Sequence, residues 1–170
     1  MAAKLGDCRK LGGLGIVLAE MRLFIVSHFL IYLSVIQYSD CGSVTWYEPL
    51  PVKTVSSAGD DPTPAKVKLF EGYPASLSWN FSLTSVTLFA VNVKFNAESL
   101  ALSGPGGSGA KVAPAFEDKF NFTWISQRLT LVIFSVTAAY DESNGEFSCE
   151  LLTVEGAWIR KIQVKIVGKR

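Results

Sequence analysis

Residues 140–152 read YDESNGEFSCELL, and the second half of that stretch decides the fold. From Gly145 to Leu151 polar and apolar residues alternate. Phe147, Cys149 and Leu151 therefore share one face of a strand, and Glu146, Ser148 and Glu150 share the other. Asp141, Ser143, Asn144 and Gly145 supply the turn that precedes it.

The pattern continues on both sides. Residues 131–136, LVIFSV, read as the preceding strand. Residues 153–156 turn the chain into a following one, 157–167, with Ile162, Val164 and Ile166 inward and Lys161, Gln163 and Lys165 outward. Residues 119–125, KFNFTWI, place Phe120, Phe122 and Trp124 on one face. In residues 75–81, Ala75, Leu77, Trp79 and Phe81 share a face opposite Ser76, Ser78 and Asn80. Residues 86–95 set Phe89, Val91, Val93 and Phe95 against Ala90, Asn92 and Lys94. A further short strand is expected at 98–102. Residues 104–109, GPGGSG, are expected to form a mobile loop with no regular element. Helical periodicity is largely absent beyond residue 43, which predicts an all-β domain.

This order resembles the end of an immunoglobulin-superfamily domain. There strand E reads L-x-I-x-x-L, the E–F corner carries D-x-G-x-Y-x-C, and strand G follows by a hairpin. Leu131, Ile133 and Val136 match the first pattern, and Gly145, Phe147 and Cys149 match the end of the second. Phe147 stands where the family has tyrosine, so the tyrosine-corner hydrogen bond cannot form. Ser143 stands at the aspartate position, with Asp141 nearby in a longer corner. Residues 67–81, VKLFEGYPASLSWNF, resemble the family's passage from strand A′ through a Glu-Gly turn into strand B, with Trp79 in place of the B-strand cysteine.

The resemblance implies an all-β immunoglobulin-like sandwich of two antiparallel sheets with Greek-key connections, V-type because of the C′ region, over residues 66–168. It implies that the B–F disulfide is absent and that Trp79 packs against Cys149 across the core. The family's strand-C tryptophan is missing too, with Phe89 or Val91 in its place. Residues 43–65, rich in Pro, Ser, Gly and Asp, read as a linker with a first edge strand near 52–56.

Residues 1–42 have the pattern of a secretory signal: Lys4, Arg9, Lys10 and Arg22, an apolar run over 23–38, then Ser39, Cys41, Gly42 and Ser43. An uncleaved anchor is the alternative, although the run is short for a span of about 20 residues. No further membrane or lipid-anchor signal follows strand G in this sequence. The expectation is therefore a protein that is secreted or held on the extracellular face of the plasma membrane, with no membrane span unless the N-terminal segment is retained.

Composition excludes several functions. The single histidine, His28, lies in the apolar N-terminal segment, so the domain lacks the imidazole of Ser–His–Asp or Cys–His catalysis and of histidine metal sites. Of 16 Lys+Arg and 15 Asp+Glu, four and three precede Ser43, which leaves a neutral domain without a nucleic-acid-binding charge. Cys8, Cys41 and Cys149 lack zinc-ligand spacing. Asp60-Asp61 reads as a solvated turn, as does the acidic group Asp141, Glu142 and Glu146 with Asn144, in preference to cation sites.

Two N-glycosylation motifs, Asn80-Phe81-Ser82 and Asn121-Phe122-Thr123, put each acceptor on the outward face of its strand. In the immunoglobulin arrangement both fall on the A-B-E-D sheet. The opposite G-F-C sheet then offers Asn92, Lys94, Glu146, Ser148, Glu150, Lys161, Gln163 and Lys165. The resemblance implies an extracellular recognition or adhesion module, not an enzyme and without a cofactor, that binds a protein partner, homophilic or heterophilic, through that sheet. A carbohydrate-binding or enzymatic β-sandwich is the alternative, as is a purely structural fragment of a longer receptor.

Overall fold

The computed structural model describes residues 42–168. The expected signal segment lies outside them, apart from Gly42. All regular structure among the described residues is strand, apart from three single 3-10 turns.

One sheet has five strands: β1 (Ser43–Glu48), β2 (Lys53–Val55), β4 (Ala75–Thr84), β8 (Phe120–Ile125) and β9 (Arg128–Ile133), in the order β2-β1-β4-β9-β8. The other has six: β3 (Ala65–Phe70), β5 (Leu88–Phe95), β6 (Glu98–Ser103), β7 (Lys111–Val112), β10 (Phe147–Thr153) and β11 (Gly156–Val167), in the order β3-β11-β10-β5-β6-β7. The described residues form a β-sandwich. Its inner faces are what alternation predicts: Leu77, Trp79 and Phe81 from β4, Leu129, Leu131 and Ile133 from β9, Phe147, Cys149 and Leu151 from β10, Ile162 and Val164 from β11. Removing these side chains from water is the main favourable contribution to the fold.

Four expectations need correction. The sheets are not both antiparallel, because β3 runs parallel to β11 along the whole register Ala65–Ile162 to Phe70–Val167. The N-terminal stretch pairs first with β4 as β1, then crosses to the edge of the other sheet as β3, and arrives there in the direction of β11. Residues 43–65 are also more than linker and edge strand. In β1, Val44 and Trp46 are fully buried, and Trp46 packs on Phe81 with ring centroids 5.5 Å apart.

Phe89 is not a core residue. β5 pairs Ala90 with Leu152 and Leu88 with Thr153, so Phe89 is the extra residue of a bulge and stands 54% exposed. Val91, fully buried, takes the core place. Finally, residues 104–109 contain a 3-10 turn, Pro105–Gly107, and Gly104 N–H bonds the Ser108 carbonyl at 2.8 Å. Gly106 and Gly107 take left-handed backbone, with φ of 67° and 85°, and a Cβ on Gly107 would stand 3.1 Å from the Trp124 carbonyl oxygen.

The corner before β10 is built around Asp141. Its Oδ1 accepts from Ser143 N–H (3.2 Å) and Ser143 Oγ–H (2.9 Å), and its Oδ2 accepts from Ile166 N–H (2.9 Å). The Ile166 bond is the largest of the effects that hold its carboxyl below the usual range. Beside it Tyr140 packs on Phe95, Phe120 and Phe147 at centroid distances of 5.7, 5.6 and 5.7 Å.

Candidate recognition face

The outer face of the six-stranded sheet carries all eight residues expected to meet a partner. Register lines them up in rows. One row runs Ile159, Glu150, Asn92, Leu102 across β11, β10, β5 and β6. The next runs Lys161, Ser148, Lys94, Ser99. Gln163 and Lys165 continue along β11 beside Lys66 and Lys68 of β3.

Most of the charge on this face is already paired within the domain. Lys94 Nζ reaches Glu150 Oε1 at 2.7 Å. Lys161 Nζ reaches both Glu146 Oε1 and Asp60 Oδ2 at 2.8 Å, and those two bonds raise its pKa. Asn92 Oδ1 accepts from Ser99 Oγ–H at 2.6 Å. Among the described residues Lys165 has no carboxylate within ion-pair distance.

Ser148 departs from expectation. It is only 6% exposed, because the register sets Lys94 on one side of it and Lys161 on the other. The uncharged row residues are more open. Leu102 is 52% exposed, while Ile159, Leu152 and Ala90 are half-buried.

The opposite outer face is of a different kind. It is held by hydroxyl contacts: Thr45 to Thr54 (3.0 Å), Tyr47 to Ser82 (3.2 Å) and Ser78 to Thr130 (3.5 Å). Asn80 and Asn121 both lie on it. Asn121 is exposed; Asn80 is half-buried between Glu48 and Arg128, which form an ion pair at 2.8 Å.

Trp79 and Cys149 are both fully buried in the central cluster. Trp79 Nε1–H donates to the carbonyl of Arg160 at 3.2 Å, and Arg160 is the residue paired with Cys149 across β10 and β11. The indole therefore spans the space between the sheets and ends on the strand next to Cys149. Burial pushes the Cys149 thiol pKa well up, which makes it unreactive.

One cluster was missed by sequence reasoning. Arg160 is 1% exposed. Its Nη1 donates to Asp61 Oδ2 (2.8 Å), and its Nη2 to the carbonyls of Pro49 (2.9 Å) and Pro51 (3.0 Å). Lys53 Nζ bonds the other Asp61 oxygen, which Thr63 N–H also reaches at 3.0 Å. Burial pushes the Asp61 carboxyl up, but the bonds from Lys53, Thr63 and Arg160 outweigh it and leave the pKa lowered. Asp61 is thus no solvated turn residue; its neighbour Asp60 is exposed. A signal existed. Arg160 has the same parity as Trp158, Ile162 and Val164, so alternation alone turns it inward.

Among the described residues no group of three or more His, Cys, Asp or Glu side chains could hold a metal ion. No helix among them is long and apolar enough to cross a membrane. No protein-family model matches the chain, and no curated protein matches it.

Proposed function

We propose that the chain is an extracellular recognition module with a V-type immunoglobulin-like domain, secreted or displayed on the cell surface, that binds a protein partner through the outer face of the six-stranded sheet. The observation that carries the reading is the strand order. The first stretch divides between the sheets as β1 and β3, and the six-stranded sheet is extended past β5 by β6 and β7. V-type domains have that layout, with the two extra strands added beside C. The function follows from the family analogy and from the contrast between the two outer faces.

Both glycosylation motifs lie on the five-stranded sheet, so sugars there leave the other face open. In the middle of that face Lys94 and Glu150, and Lys161 and Glu146, neutralise one another, and Leu102, Ile159, Leu152 and Ala90 supply the uncharged contact. A partner, homophilic or heterophilic, gains from covering apolar area and does not have to break existing ion pairs.

The test is a sugar placed on the face. Glu150→Asn with Leu152→Thr creates a glycosylation motif in the middle of it. Binding to cells that display the same chain, or to a purified partner, is lost while the unfolding midpoint changes little. If masking leaves binding intact and removal of the motifs at Asn80 and Asn121 alters it, the recognition face is the other sheet. N-terminal sequencing of protein from the medium checks export: it finds a start near Ser43 if the signal is removed.

A further inference from the structure

A cleft of about 390 Å³ opens at one edge of the sandwich, where β1 and β2 of one sheet meet β11 of the other. Its walls include Trp46, Lys53, Val55, Ala58, Ile159 and Arg160. Among the described residues two buried side-chain N–H donors lack a partner, and both belong to residues of this wall: Trp46 Nε1 and Arg160 Nε. The other three indoles all have acceptors. Trp79 donates to the Arg160 carbonyl (3.2 Å), Trp124 to the Ser126 carbonyl (2.7 Å) and Trp158 to Thr153 Oγ1 (3.1 Å). A buried donor left without an acceptor has given up its hydration with no bond in return, so both point to an occupant.

The chemistry of the wall says what that occupant is. Lys53 and Arg160 both pair with Asp61, and Lys161 beside them pairs with Asp60 and Glu146, which sets three positive charges against three negative. The cleft needs an acceptor and no further charge. A carboxylate would bring an uncompensated charge into a partly buried site. A carbonyl oxygen has two lone pairs and no charge. Val55, Ala58 and Ile159 offer an apolar wall for the body that carries it. The volume lies in the range of small-molecule sites and is more than ten times the roughly 30 Å³ share of one water.

We propose that this cleft binds small uncharged carbonyl compounds, with the carbonyl oxygen accepting from Trp46 Nε1–H and Arg160 Nε–H. The two nitrogens are closed to bulk water, so entry shifts the 56–60 ribbon, which is tied to β11 through Gly59 N–H to Ala157 O (2.9 Å) and Ile159 N–H to Gly59 O (3.2 Å). The site lies at the edge between the sheets and does not depend on the protein-recognition reading.

Hexanamide titrated into the full chain labelled with nitrogen-15 tests this through the four indole N–H resonances. Trp46 is assigned by its contacts with the Phe81 ring. The Trp46 resonance shifts saturably in the millimolar range while those of Trp79 and Trp124 stay in place, and hexanoate binds at least about tenfold more weakly. Ala58→Leu, which fills the cleft, abolishes the shift and leaves the Trp79 resonance where it was. Absence of a saturable shift overturns the proposal and leaves the donors to ordered water. Equal or tighter hexanoate binding overturns the chemical class, and an unchanged response in Ala58→Leu overturns the location.

Discussion

The interior of the sandwich has two unlike parts. At the centre Trp79 and Cys149 sit among apolar side chains, and the one polar atom of the pair's indole is bonded to a backbone carbonyl. At the edge Arg160 is as deeply buried, yet it is surrounded by Asp61 and the carbonyls of Pro49 and Pro51. The centre is held by packing, which falls off gradually as atoms are removed. The edge is held by a charge that must be matched, and a buried charge without its partner is strongly unfavourable. The central cluster could have formed from any apolar residues of suitable volume. The edge cluster fixes one chain segment, residues 49–63, to one strand.

The largest effect is expected at the centre. Trp79→Ala removes the biggest side chain there together with its hydrogen bond to Arg160 O, and should cost about 4–5 kcal/mol, the upper part of the range for large aromatics. Denaturant unfolding measures it. Asp61→Ala should cost somewhat less, about 3–4 kcal/mol, because Arg160 keeps its bonds to the Pro49 and Pro51 carbonyls. Replacing both members, Asp61→Leu with Arg160→Met, should recover most of that loss, since the fully buried guanidinium is then gone and the ammonium that loses its partner, Lys53, is partly exposed. If the double variant is as unstable as the single one, the edge is held by packing and the contrast fails.

A smaller effect sharpens the same contrast through pH. The Asp61 carboxyl is lowered in the folded state, so its stabilisation is complete above the unfolded-state value of about 3.9 and is lost as pH falls through the folded value. The stability difference between the wild type and Asp61→Ala should therefore narrow below about pH 4. The difference between the wild type and Trp79→Ala should not.

The two parts also differ in how readable they were. Alternation in residues 75–81 and 145–151 placed Trp79 and Cys149 inside, because a strand with one dry face writes its period into the sequence. The same rule applied to β11 would have turned Arg160 inward, but a charged residue is ordinarily read as outward and its partner lies 99 positions away in a Gly-Asp-Asp-Pro turn. β1 was hidden for a related reason: its six residues, SVTWYE, lie between the apolar segment and a Pro-rich stretch. Of the face residues, alternation found the side of the sheet and missed the cross-strand pairing. Register decides that Lys161 meets Glu146 and Asp60, and that Ser148 is covered. The bulge at Phe89 likewise depends on β10, which no local pattern in 86–95 contains.

The reading of this sandwich as immunoglobulin-like, carried by its strand order, expects β4 and β10 to face each other at Trp79 and Cys149, where the family places its disulfide. Trp79→Cys tests that directly. Two cysteines bridge only when their Cα atoms lie within about 7 Å. The account predicts that the variant, folded under oxidising conditions, links residue 79 to Cys149, seen as one joined peptide by mass spectrometry and as loss of both thiols in the denatured protein. Two free thiols at these positions in the folded variant would contradict it.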